Sequence, residues 1–127
     1  MAVNIHESAE DYLESIYILL QKNGAVRSID VVNDLGVSKP SVSVAMKKLR
    51  ENGYIEVSPE GFLTLLPPGL EIAQRIYRRH TMLTRFLESL GVSPETAAAD
   101  ACKMEHDLSA ETFEKIVAHA REHGMTE

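Results

Sequence analysis

Ser38-Lys39-Pro40-Ser41-Val42-Ser43-Val44-Ala45-Met46-Lys47-Lys48-Leu49-Arg50 is the stretch on which the reading of this 127-residue chain turns. Pro40 suits the first turn of a helix, and Ser38 before it is an N-cap candidate. Val42, Ala45, Met46 and Leu49 recur at i, i+3, i+4 and i+7, which makes one buried stripe. Lys39, Ser41, Ser43, Lys47, Lys48 and Arg50 are left outside, hydroxyls early and cations late. Such groups near a helix start are what base edges and phosphates accept. Taken alone, the stretch reads as well as an ordinary amphipathic helix with a solvated basic face.

Its neighbours decide between the two. Residues 28–35, Ser-Ile-Asp-Val-Val-Asn-Asp-Leu, read as a short helix burying Ile29, Val32 and Leu35, with Gly36 as its left-handed stop. A helix, a short turn with glycine and a second helix exposing polar side chains make a helix-turn-helix. Beyond Gly53, which ends the second helix, Tyr54-Ile55-Glu56-Val57 and Phe62-Leu63-Thr64-Leu65 read as strands. Ser58-Pro59-Glu60-Gly61 is the turn between them, so the pair is a hairpin. A hairpin after a helix-turn-helix is a winged helix, and the order of elements is more specific than any one of them. The candidate DNA contacts are Arg27, Ser38, Lys39, Pro40, Ser41, Ser43, Lys47 and Lys48.

Hydrophobic residues at 44% are ample for a core, and the length allows a DNA-binding half with a helical second half. No apolar run is long enough to span a bilayer and nothing resembles a signal peptide. One cysteine excludes an intramolecular disulfide and fits a reducing cytoplasm. The net charge of −6 argues against a protein that simply coats nucleic acid. It is unevenly spread: residues 27–54 carry five cations against three carboxylates, residues 91–127 three cations against eight. A basic reading head on an acidic body implies specific binding helped by something positive.

Elsewhere the chain reads as helices. Residues 1–7 lack periodicity and read as frayed. From Ser8 to near Gly24, a helix presents Ala9, Tyr12, Leu13, Ile16, Leu19 and Leu20, with Asp11 and Glu14 as i, i+3 neighbours on its flank. Ser8-x-x-Asp11 resembles a capping box, and Glu14 reads equally as a surface residue. Pro67-Pro68-Gly69 opens a long helix to about Ser89, closed by Gly91, carrying Arg75, Arg78, Arg79, His80 and Arg85. Ser93-Pro94-Glu95 starts a helix to about Asp107, whose small residues from Ala97 to Ala101 would let another backbone approach. Ser109 caps the last helix, with Phe113, Ile116, Val117 and Ala120 as its stripe. His119 and His123 have a metal-compatible i, i+4 spacing but read as solvated, and so does His6.

Chemistry concentrates in Cys102-x-x-Glu105-His106. Positions i, i+3 and i+4 share a helix face, so thiolate, carboxylate and imidazole could converge. Mixed S, O and N ligands suit Fe(II), Mn(II), Co(II) or Zn(II). Asp11, Glu14 and His80 could complete the shell. The alternative leaves Cys102 in the core and Glu105 and His106 on the surface.

The chain resembles the family of metal-dependent repressors that includes the diphtheria toxin repressor and the manganese transport regulator. The resemblance rests on Glu10-Asp11-Tyr12-Leu13-Glu14-x-Ile16-Tyr17, the winged helix-turn-helix through Arg50-x-x-Gly53-Tyr54, and Arg79-His80-x-x-Leu83 with Phe86-Leu87. It continues in Gly91-Val92 and Ala101-Cys102-x-x-Glu105-His106-x-Leu108-Ser109, in the family's order. It implies a mostly α fold: a winged helix-turn-helix domain over residues 1–66 and a helical metal-binding and dimerisation domain over residues 67–127. It also implies a cytoplasmic homodimer, not an enzyme, that binds a palindromic double-stranded operator when Mn(II) or Fe(II) is bound and represses metal-uptake genes. Its two recognition helices would sit about 34 Å apart, one turn of DNA. Asp11, Glu14, His80, Cys102, Glu105 and His106 fall on the family's metal-ligand positions.

The set is a hybrid. Asp11 and Glu14 match the manganese-responsive branch; Cys102 matches the iron-responsive branch, whose partner at position 11 is a methionine. Manganese members have a carboxylate at position 102 that can bridge two metals, so a thiolate counts against a binuclear centre. Thr84 and Ala98 stand where the iron branch's ancillary site has a glutamate and a histidine, and Leu66 where the family often has a capping threonine. The SH3-like domain of the longer iron regulators is not expected here.

Three rivals remain: a winged-helix regulator switched by Cys102 redox chemistry, a di-iron enzyme, and a winged helix used for protein contacts alone. The second lacks paired Glu-x-x-His motifs on two helices. The third would leave Lys39, Lys47 and Lys48 without salt-sensitive DNA binding. No nucleophile triad or phosphate-binding glycine loop is present, so neither catalysis nor a small-molecule substrate is expected.

Overall fold

The computed structural model describes residues 7–125. Of the expected frayed start over residues 1–7, residues 1–6, His6 among them, lie outside the described residues, and Glu7 is helical. Those described form α1 (Glu7–Asn23), α2 (Ser28–Leu35), α3 (Lys39–Glu51), β1 (Ile55–Val57), β2 (Leu63–Leu65), α4 (Pro67–Ser89), α5 (Pro94–Met104) and α6 (Ala110–Glu122). They belong to two compact units, and the chain passes from one to the other inside α4, between Gln74 and Arg75.

The first unit is the winged helix. Tyr12, Leu13, Ile16 and Leu19 of α1 are buried in one cluster with Val31 of α2, Val42, Met46 and Leu49 of α3, and Ile55 and Leu63 of the hairpin. Each aliphatic side chain so buried contributes about 1.5–3 kcal/mol, which offsets the poor intrinsic stability of an eight-residue helix such as α2. Two local expectations change. Glu7 is already helical, so Ser8 stands inside α1 rather than capping it. In α2 the fully buried side chain is Val31, while Ile29 is 42% exposed. The stop at Gly36 is as expected, with φ 65° and its N–H donating to Val32 O at 2.9 Å.

Three devices orient the reading helix. The Ser38 hydroxyl accepts from the Ser41 N–H at 3.2 Å, capping α3. Ser15 Oγ, buried on α1, donates to the Asp34 carboxylate of α2 at 2.7 Å. In the wing, Ile55 faces Leu65 and Val57 faces Leu63 in antiparallel register. Gly61 (φ 88°) makes the turn, and Ser58 Oγ accepts from the Phe62 N–H at 3.0 Å. A bridge between Arg27 and Phe62 extends this hairpin to the start of α2. Gly69 serves a purpose beyond opening α4: it packs on the Tyr54 backbone, and a Cβ there would land on the Tyr54 carbonyl oxygen.

The second unit is helical. Met82 and Leu83 of α4, Ala101 of α5, and Phe113 and Val117 of α6 form its core. Ala97 and Ala101 are buried and Ala99 is exposed, so only one face of the small-residue run is covered. Ser109 Oγ accepts from the Thr112 N–H at 3.1 Å and starts α6. Among the described residues, no helix is long and apolar enough to cross a membrane.

Candidate metal centre and nucleic-acid interface

The reading head follows from α3's stripe. Because Val42, Met46 and Leu49 are buried, Ser38, Lys39, Pro40, Ser41, Ser43, Lys47 and Lys48 must face outward, and all seven are exposed. The Ser38 hydroxyl is committed within the helix start, accepting from Ser41 N–H and donating to Ser41 Oγ at 2.7 Å. Ser43, Lys47 and Arg50 line one surface hollow with Ser28 and Val57, so α3, the start of α2 and the wing share a concave face. Arg27, exposed at the head of α2, stacks its guanidinium 4.4 Å over the Phe62 ring of the wing. Hydroxyls and cations on a protruding helix beside a hairpin are equipped to read a groove and grip phosphates.

In the second unit, side chains converge on Glu105, which is fully buried. His80 Nδ1 on α4 lies 2.9 Å from its Oε2. His106 Nε2 lies 3.5 Å from its Oε1, with the imidazole side chain 2% exposed. Cys102 is exposed, and its Sγ and a Glu105 carboxylate oxygen lie within 4.8 Å of each other. Asp11 and Glu14 belong to the other compact unit, half-buried at i, i+3 on α1.

The segment carrying Glu105 and His106 differs from the expected helix to Asp107. α5 ends at Met104. Glu105 keeps helical φ and ψ, with its N–H on Ala101 O at 2.9 Å, and the chain then tightens as Asp107 N–H donates to Met104 O at 3.1 Å. The physical reason is across the unit, on α4. One terminal nitrogen of Arg79, Nη1, donates to Glu105 O at 3.1 Å and to Leu108 O at 2.7 Å, pinning the turn. Spacing gave no sign of this role, because Arg79 reads like Arg75, Arg78 and Arg85. His119 and His123 are exposed, their ring centroids 4.2 Å apart, with His123 Nδ1 2.8 Å from the His119 carbonyl.

This corner fits a divalent metal. A carboxylate removed from water is costly unless positive or donating groups surround it. Here Glu105 Oε1 is buried with no hydrogen-bond partner, while imidazoles and a thiol lie close by. An orphaned carboxylate oxygen among N and S donors is what a borderline first-row cation would complete.

Comparisons with known proteins give the same reading. Residues 4–63 match the iron dependent repressor N-terminal DNA binding domain, and residues 67–123 match the iron dependent repressor metal binding and dimerisation domain. The chain is 40% identical over 120 residues to the transcriptional regulator MntR of Salmonella typhimurium, covering 94% of this chain and 76% of that protein. It is 38% identical over 109 residues to the HTH-type regulator MntR of Geobacillus kaustophilus, covering 86% and 77%. The solved manganese regulator SloR superimposes with a TM-score of 0.80 at 25% identity, over 89% of this chain and 53% of that one. A manganese-dependent transcriptional repressor solved with manganese gives 0.80 at 29%, over 87% and 51%. The chain thus spans about half the length of these solved structures. With both halves matched in order, the chain belongs to the family of metal-dependent transcriptional repressors, with a DNA-binding N-terminal domain and a metal-binding and dimerisation domain after it.

Proposed function

We propose that this protein is a transcriptional repressor activated by Mn(II) or Fe(II), binding palindromic double-stranded operator DNA as a cytoplasmic homodimer and controlling metal-uptake genes. In this reading, residues 1–66 are the DNA-binding domain and residues 67–127 bind metal and dimerise. The observation that carries it is the buried Glu105 carboxylate, with one oxygen facing His80 and the other lacking a hydrogen-bond partner beside His106.

A bound divalent cation would supply positive charge at that corner. Glu105, His106, His80 and Cys102 hold it from the second unit, and Asp11 and Glu14 of α1 complete the shell. Their carboxylates lie on the helix whose opposite stripe supports α3, and Ser15, next to Glu14, holds Asp34 of α2. Fixing α1 therefore bears directly on the reading head. Metal and DNA must strengthen each other by the same factor, typically about 1–3 kcal/mol. The exposed hydroxyls and cations of α3, with Arg27, make the DNA contacts, and the hybrid ligand set leaves both metals as candidates.

The test is an anaerobic titration of the reduced protein with Mn(II), Fe(II) and Zn(II), following the anisotropy of a labelled fragment from upstream of its own gene at fixed salt. At least tenfold tighter binding with one metal at micromolar level, about 1.4 kcal/mol, is expected. High affinity that ignores every metal would overturn the sensing reading and leave Cys102 oxidation to be tested.

A further inference from the structure

Glu105 and His106 are neighbours in sequence, and this raises a geometric problem. Successive residues of a regular α-helix point about 100° apart, so adjacent side chains meet only by bending toward each other from a backbone held in place. In the structure they meet: His106 Nε2 is 3.5 Å from Glu105 Oε1. They do so at the end of α5, where Glu105 keeps helical φ and ψ and the next residues tighten, with both Asp107 and Leu108 N–H groups directed at Met104 O.

Carbonyls at such a helix end lack intrahelical donors, and a cation there is favoured by the helix dipole as well. Arg79 supplies both. It is half-buried, its two N–H bonds from Nη1 reach Glu105 O and Leu108 O, and its guanidinium lies 5.4 Å from the Phe113 ring centroid at the start of α6. The adjacent residue, His80, grips the Glu105 carboxylate at 2.9 Å. Glu105 is thus held at both ends by consecutive residues of α4: backbone by Arg79, side chain by His80. Arg78, the preceding residue, instead pairs with Glu114 on the surface.

We infer that Arg79 is the positioning residue of the metal centre, shaping the Glu105–Leu108 turn so that adjacent Glu105 and His106 ligate one ion. This rests on the metal reading of Glu105 and His106. Lysine at position 79 would keep the charge but not the planar nitrogen that divides its hydrogens between two carbonyls.

The experiment measures Mn(II) binding to the full reduced chain without DNA, by electron paramagnetic resonance of free Mn(II), for wild type, Arg79→Ala, Arg79→Lys and Arg78→Ala. The thermal midpoint of each metal-free protein is recorded alongside. Loss of partners that orient metal ligands typically weakens binding about 10–100-fold, so Arg79→Ala should weaken it by at least ~10-fold, with Arg79→Lys between it and wild type. Arg78→Ala should bind as wild type. If Arg79→Ala does not fold, Arg79→Lys alone decides, and a wild-type affinity for it overturns the inference. Unchanged Mn(II) affinity in Arg79→Ala, even with a lowered midpoint, also overturns it. No Mn(II) binding by wild type would instead count against the metal reading itself, a separate failure.

Discussion

The reading head and the candidate metal corner each bring several side chains toward one place, by opposite means. In α3 the aimed residues are exposed and the helix is regular, so Ser41, Ser43, Lys47 and Lys48 are presented by periodicity alone. Around Glu105 the carboxylate and the His106 imidazole are buried and the backbone leaves helical regularity, with two carbonyls of that turn held by Arg79 of α4. A surface that reads a long polymer can tolerate adjustable side chains. A site for a small ion cannot, since ligand distances vary by only about 0.2 Å. The corresponding cost is a carboxylate hidden from water, offset at one oxygen by His80 at 2.9 Å.

The strongest way to break this comparison is Glu105→Gln. The amide keeps the volume, so helix content and the metal-free fold should persist. The charge that draws a cation is gone, and the metal concentration needed to tighten operator binding should rise by at least ~100-fold, beyond the usual effect of losing a secondary contact. If Glu105→Gln still responds to metal as wild type does, the buried corner is structural and the contrast with α3 fails. Next in size is Gly69→Ala, which probes the first unit. Replacing glycine in a helix interior normally stabilises by up to about 1 kcal/mol. Here the added methyl meets the Tyr54 carbonyl oxygen, a backbone atom that cannot rotate away. Overpacking of about 1–3 kcal/mol should therefore win, read as a lower urea midpoint with unchanged slope. A rise in the midpoint would show that the start of α4 shifts freely against the wing.

Legibility divides along the same line. The stripe of Val42, Met46 and Leu49, the Ser38 cap and the Gly36 stop could be read because each depends on residues within four positions of itself. In α2 four apolar residues at 29, 31, 32 and 35 allow two stripes on a short helix, and only packing against α1 and α3 selects Val31 over Ile29. The hairpin strands are each one residue shorter than the hydrophobic runs, since Tyr54 and Phe62 serve the junctions with α4 and Arg27. In the metal corner, residue types and spacing pointed to Cys102, Glu105 and His106, but not to how adjacent residues could meet. The carbonyls just past Met104 are held by Arg79, more than twenty residues away in sequence. Gly69 was opaque for the same reason, its role being set by Tyr54.

The smallest effect is expected where α4 makes a contact of the opposite kind. Arg78 donates to both Glu114 oxygens, at 2.9 and 3.4 Å, but the side chains are 39% and 56% exposed. The hydrogen bond from Arg78, with the charge of that guanidinium, holds the Glu114 carboxyl below the ordinary glutamate value of 4.5. The folded protein therefore gives up this proton more readily than the unfolded chain does. Its stabilising contribution is present above the unfolded value and is lost as pH falls through the folded one. Solvent screening at so exposed a pair limits it to a few tenths of a kcal/mol, about the low end for surface ion pairs. Chemical unfolding of wild type and Glu114→Gln should accordingly show a small constant difference at neutral pH that closes below about 4.5 and shrinks with added salt. A difference of several kcal/mol would mean that this surface pair is as strictly held as the Arg79 grip one residue along. In that case exposure would no longer separate contacts that decorate α4 from those that shape the metal corner.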